Sequence, residues 1–173
     1  MARIEIEPVI LGFFLLSPRH GYEVQKELTD PEGIGSVYKI KIGKLYNELN
    51  NLKDLKDLEV NVRSNSKRPP KNEYRITSKG RERFLNWIHS PLSHGRDFRV
   101  LFLCKLYFLN RIKELDFLTL IDAQIAECEN WLSRYTHSSS PSDSYLWMVD
   151  SYRKSQIQSI LNWLKWCKGN INP

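Results

Sequence analysis

The sequence predicts a mainly α protein in two parts: three helices closed by a two-stranded hairpin, then an all-helical tail. Three observations carry this. Apolar residues from Pro8 to Leu52 recur at the 3.6-residue spacing of helices. After Leu58 the pattern turns to alternation, which marks strands. Helical spacing returns from Asp97, behind a linker-like stretch at 91–95. The domains expected are therefore 1–92 and 93–173.

The elements follow in order. Pro8 suits the first turn of a helix, where its missing N–H is not needed. Val9, Ile10, Phe13, Phe14 and Leu16 make that helix apolar, and Ser17-Pro18 stops it. Arg19-His20-Gly21-Tyr22 turns the chain into a second helix over 22–28, with Val24 and Leu28 inward. His20 fits a turn and capping role better than a ligand role. Residues 29–33 are rich in turn formers. A third helix is expected from near Lys39 to about Leu55. Ile42, Leu45, Leu49 and Leu52 form its apolar stripe. Lys44, Asn47, Asn50 and Asn51 lie opposite, with Ile40 or Gly43 one turn earlier.

Val60 and Val62 then alternate with Asn61 and Arg63, and the pattern recurs at Tyr74, Arg75 and Ile76. Between them, 64–72 reads as a polar, basic loop with two prolines. Thr77-Ser78 caps a further helix over 79–89, ended by Ser90-Pro91. Three helices followed by a basic-tipped hairpin is the order of a winged helix.

Charge narrows the partners. Of 173 residues, 27% are charged and 41% hydrophobic, as in a soluble globular protein. The net charge is +6, and residues 60–83 alone carry that balance, with eight bases against Glu73 and Glu82. Such a concentrated basic segment suits a polyanion. Cys104, Cys128 and Cys167 lack paired spacing, which argues against a disulfide framework or zinc site and for a reducing cytoplasm. His89, His94 and His137 show no metal spacing either. The apolar runs 9–16 and 100–109 fall short of the ~20 residues a membrane span needs. No nucleophile set, phosphate-cradling glycine loop or paired-carboxylate site stands out, so an enzyme, and any cofactor, is not expected.

Several segments together carry a resemblance. Ile10-Leu11-Gly12, Pro18-Arg19-His20-Gly21-Tyr22-Glu23, Lys44-Leu45-Tyr46-Asn47-Glu48-Leu49, Arg68-Pro69-Pro70-Lys71-Asn72-Glu73-Tyr74 and Arg75-Ile76-Thr77-Ser78-Lys79-Gly80-Arg81 resemble the PadR family of bacterial transcriptional regulators. Their order and spacing agree across residues 8 to about 90. The resemblance implies a winged helix-turn-helix that binds palindromic operator DNA as a homodimer, most often as a repressor. It also implies a helical C-terminal dimerisation region. The chain departs from the family at Asn47, where proline or a small apolar residue is usual. A second departure is the lack of glycine in Leu55-Lys56-Asp57-Leu58, where the recognition helix meets the wing.

On this reading Asn47, Asn50 and Asn51 lie nearest the groove, since an amide both donates and accepts at a base edge. Lys41 and Lys44 meet phosphates, and Tyr46 packs its ring while its hydroxyl reaches the backbone. Arg63, Lys67, Arg68 and Lys71 in the wing clamp the backbone or enter the minor groove. In the tail, 97–112 is apolar on most faces, which implies a partner chain. Helices over 115–135 and 145–168 form a hairpin, and two hairpins make a dimer bundle. The seam residues expected are Phe102, Leu106, Phe117, Leu118, Ile121, Ile125, Trp131, Leu146, Val149, Ile160, Trp163 and Leu164. Trp131, Trp147, Trp163 and Trp166 also suit a small-molecule effector pocket, although tryptophans at helical spacing are more often core. Two alternatives stay open: a tail that merely caps the winged helix, and a winged-helix module that binds a protein and no DNA.

Overall fold

The computed structural model describes residues 6–65, 68–135 and 144–170, with the side chains of 62–65 and 68–71 excepted. Two compact units emerge. One is the chain up to His89 together with Arg99–Glu114; the other is Ser90–Phe98 together with the chain from Leu115.

The first unit is a winged helix built on α1 (Glu7–Leu16), β1 (Arg19–His20), α2 (Gly21–Thr29), α3 (Ile42–Asp54), β2 (Leu58–Asn65), β3 (Arg68–Ile76) and α4 (Ser78–His89). Pro8 sits in the first turn of α1, and Val9 through Phe14 are buried on every side. The reason lies in what surrounds them. Phe108 packs edge-to-face on Phe13 at 5.3 Å and on Phe84 at 5.5 Å. Gly12 makes room for this, because a Cβ there would stand 2.6 Å from the Phe108 ring and 2.7 Å from Phe84.

Phe108 belongs to α5 (Leu103–Arg111), and this is the main correction to the sequence reading. Residues 99–114 were expected with the C-terminal helices, their apolar faces awaiting a partner chain; they pack within the first unit instead. Phe13 of α1 and Phe84 of α4 cover Phe108, part of the apolar surface that seemed to need a second copy. The helical stretch over 97–112 forms, but it is not α-helical throughout. A 3-10 turn (Gly95–Asp97) and a π-helical turn (Phe98–Phe102) precede α5. Within α5, Lys105 is fully buried; its ammonium donates to the carbonyl of Trp87 near the end of α4 and lies 4.9 Å over the Trp87 ring. A cation there complements the helix C-terminus, yet burial pushes its pKa down to about 8. At the far end of α5, the Tyr107 hydroxyl donates to Glu27 of α2 at 2.8 Å. Burial first, then Glu27, pushes that phenol up to about 12.

β1, which the sequence reading treated as turn, completes a three-stranded antiparallel sheet of order β1-β3-β2. Arg19 faces Tyr74 and His20 faces Glu73. Both strands of the wing run further than expected, pairing from Leu58↔Ile76 out to Asn65↔Arg68, with an irregularity between Arg63 and Asn65. The basic stretch 64–72 is therefore mostly strand. Alternation was hidden there by prolines, which cannot donate to a ladder.

The second unit is a helical hairpin. Asp116 caps α6 (Phe117–Ser133) by accepting from the backbone N–H groups of Leu118 and Thr119 at 2.9 and 3.3 Å. Lys165–Glu129 (3.2 Å) and Lys168–Asp122 (2.6 Å) join α6 to α7 (Ser144–Asn170), and their order fixes the two helices as antiparallel. Ile157, Leu161, Leu164 and Cys167 form the buried stripe of α7. Its first half differs: Tyr145, Leu146, Trp147, Met148 and Tyr152 are all about half exposed or more. At 1.5 Å per residue α7 is about 40 Å long against about 25 Å for α6, so α6 cannot cover it. Phe98 meets Trp163 edge-on at 6.0 Å, and Gln124 holds Leu92 by bonds to both its N–H and its carbonyl. Among the described residues no helix is long and apolar enough to cross a membrane.

Candidate nucleic-acid interface

Two short helices and the sheet position α3. Gly21 lets α2 approach it, since a Cβ there would meet Leu49 Cδ1 at 3.0 Å and Tyr46 Cε1 at 3.1 Å. A capping box starts α2: the backbone N–H of His20 donates to Glu23 Oε2 at 2.7 Å. His20 also ties this corner to the base of the wing, donating from Nδ1 to the Asn72 carbonyl at 2.9 Å. That is the turn and capping role its place in the sequence suggested, with a wing tether added.

α3 begins at Ile42, three residues later than expected, because Lys41 is still extended with ψ 142°. Two side chains change sides as a result. Ile40, expected on the outer face, is 7% exposed; Ile42, expected in the stripe, is 51% exposed. The alternation of Lys39, Ile40 and Lys41 is the sequence signal for an extended lead-in. Leu45, Leu49 and Leu52 are buried as the spacing required, together with Glu48 at 3% exposure. Turning Glu48 inward clears the early outer face of acid.

That face is open to solvent. Lys41, Lys44, Asn47, Asn50 and Asn51 are all exposed, and Tyr46 is 38% exposed at its edge. Of the wing residues singled out, Lys67 lies outside the described residues. The side chains of Arg63, Arg68 and Lys71 do also, although their backbones form the ladder beside α3, with Arg63 opposite Lys71.

The junction between α3 and the wing explains the missing glycine. Lys56 takes the left-handed conformation with φ 61°, normally a glycine's place. The Lys56 N–H donates to the Lys53 carbonyl and the Asp57 N–H to that of Leu52, at 3.0 and 2.9 Å, which is the Schellman pattern. Asp57 then anchors the junction. Its carboxylate is 1% exposed, accepts from Arg83 at 2.7 Å and faces the Lys79 ammonium at 3.3 Å. Its carbonyl receives the Thr77 N–H at 3.1 Å. Gly80 is obligatory beside it, since a Cβ would come within 2.1 Å of that carbonyl oxygen. The end of the helix, the wing and α4 thus meet at the buried Asp57 carboxylate, whose cationic partners reach it from the surface.

Elsewhere in the first unit, an open groove of about 710 Å³ runs along α2. Arg19, Lys26 and Arg111 there balance Glu23, Glu27 and Asp30, so it favours neither sign of ligand. In the second unit, Ile121 and Leu164 are fully buried and Trp131 is 5% exposed, whereas Phe117, Leu118, Ile125, Val149, Ile160 and Trp163 are half-buried and Leu146 is half exposed. In the first, Phe102 is fully buried and Leu106 half-buried. Trp147 and Trp166 stand exposed. Burial raises the thiols of Cys104 and Cys128 to about 12 and about 11, which keeps them protonated and unreactive.

Residues 10–86 match the model of the Transcriptional regulator PadR-like family. Among solved structures, Bacillus subtilis PadR in complex with operator DNA aligns at 18% identity over 95% of this chain and 98% of that one, with a TM-score of 0.50. A Streptococcus mutans protein aligns at 23% identity over 92% and 95%, with a TM-score of 0.46. A PadR-like transcriptional regulator from Bacillus cereus aligns at 26% identity over 47% and 75%, with a TM-score of 0.39. No curated protein matches the chain. The first of these structures shares the fold. With the matched segment, which spans a little under half of the chain, this makes the winged helix similar to the PadR-like family of transcriptional regulators.

Proposed function

We propose that the chain is a homodimeric, sequence-specific DNA-binding regulator that acts as a repressor, with α3 in the major groove and the wing on the backbone or in the adjacent minor groove. The observation that carries this is the outer face of α3. Lysine at its start and asparagine along its length are exposed together, and the only acid of its first two turns is buried. Lysine neutralises phosphate without regard to sequence, while the amides can pair with base edges. On this reading Lys41, Lys44 and Tyr46 position the helix, and Asn47, Asn50 and Asn51 read the site.

The second copy is expected to meet the exposed first half of α7, where Leu146 and Val149 are available. Phe102, Ile121, Trp131 and Leu164 are spent inside the protomer and are not needed at the seam. Two winged helices held together bind two half-sites, which raises affinity without new contacts.

The test is a gel shift with the DNA upstream of the gene. Binding should survive competitor DNA and weaken steeply with salt, as counterion release requires. Failure to retard any duplex at low salt would leave the protein-binding alternative in its place.

A further inference from the structure

We propose that Ile42 is a specificity-determining residue that reads the C5-methyl group of a thymine in the major groove, an inference that rests on the DNA-reading role proposed for α3. The spacing of Ile42 from Leu45 and Leu49 should send it into the core. Instead it is 51% exposed, and Ile40, delivered by the extended residues before the helix, is the buried one at 7%. The fold thus leaves an aliphatic side chain half in water on the first turn of the helix, where recognition helices touch base edges.

Its neighbours say what it would meet. Lys41 and Lys44 flank it, both exposed, and supply the charge that draws phosphates on either side. Between them, Gly43 has no packing reason to be glycine, since a Cβ there would meet nothing within 4 Å. A side chain at that position would instead stand in the way of a surface closing on the turn. A basic, cleared turn with one apolar group at its centre complements a DNA groove. Within the major groove only the thymine methyl offers an apolar partner; the other base edges would be left with an unpaired donor or acceptor against isoleucine.

The experiment uses the full-length chain and a duplex site enriched by it from a random pool. Each thymine of the site is replaced in turn by deoxyuridine, which deletes only the C5-methyl. The wild type should lose roughly fourfold in affinity at one thymine per half-site, the effect of exposing one methyl-sized group. Ile42→Ala should bind the thymine site that much more weakly and be indifferent to deoxyuridine there, with an unchanged melting temperature. Asn47→Ala should keep the deoxyuridine sensitivity. Sensitivity in Ile42→Ala equal to the wild type's at every position would overturn the proposal, as would no sensitivity in the wild type. A lowered melting temperature for Ile42→Ala would overturn it too, by making Ile42 a core residue. If no site is enriched and no duplex binds at low salt, the DNA-reading proposal itself falls, so the two failures are separable.

Discussion

Lys56→Gly should stabilise the protein even though it removes a charged side chain. Lys56 holds φ 61° at the end of α3, where an L side chain crowds its own backbone. Left-handed backbone costs a non-glycine residue about 1–2 kcal/mol, and glycine escapes that term. Against this, glycine gives the unfolded chain more freedom, worth about 0.4–1 kcal/mol. The Schellman hydrogen bonds are backbone bonds and survive the change. The net expectation is a gain of about 0.5–1 kcal/mol, read as a higher urea midpoint at unchanged slope. Lys56→Ala removes the same charge but keeps the Cβ, so it separates backbone strain from electrostatics. It should show no such gain. Equal stability of the glycine and alanine variants would refute the strain argument.

Further outcomes follow from the same geometry. Gly80→Ala forces a Cβ to 2.1 Å from the Asp57 carbonyl oxygen, and a clash with backbone should cost roughly 3 kcal/mol or more, seen as a large fall in the urea midpoint. Lys105 loses its proton near pH 8 in the fold but keeps it to about 10.5 when unfolded, so between those values the unfolded chain binds more protons. Its contribution to stability therefore rises with pH, and relative to Lys105→Met the wild type should gain about 2 kcal/mol between pH 7.5 and 9.5; a parallel pH profile for the two proteins would contradict the buried ammonium. Leu146→Glu places a charge on the exposed half of α7 and should turn a sedimenting dimer into a folded monomer; a wild-type monomer would remove the dimer from the account.

The winged helix was legible because its signals are local. Proline before an apolar run, the stripe of Leu45, Leu49 and Leu52, and the switch to alternation at Val60 each follow from short-range periodicity. The misreadings have a common cause in tertiary competition. Ile40 and Ile42 are equally apolar, and only the packed core decides which one fills the available space. The two-residue strand β1 has no periodicity to detect; it exists because β3 offers an edge. Phe108 and its neighbours advertised burial correctly, yet no pattern in 97–112 says whether α1 or a second chain supplies the cover. The conformation of Lys56 was foreshadowed by family resemblance as a missing glycine. Its consequence, a strained but fully bonded helix end, needed coordinates.

The central claim is that the outer face of α3 reads base edges, and a paired affinity measurement tests it most directly. Fluorescence anisotropy on an enriched site and on a scrambled duplex gives a specificity ratio for the wild type, Asn47→Ala and Lys44→Ala. Asn47→Ala should lose about 1–3 kcal/mol on the enriched site alone, collapsing the ratio. Lys44→Ala should weaken both duplexes alike and reduce the salt dependence by about one charge. Equal loss on both duplexes for Asn47→Ala would contradict the account, because α3 would then hold DNA without reading it.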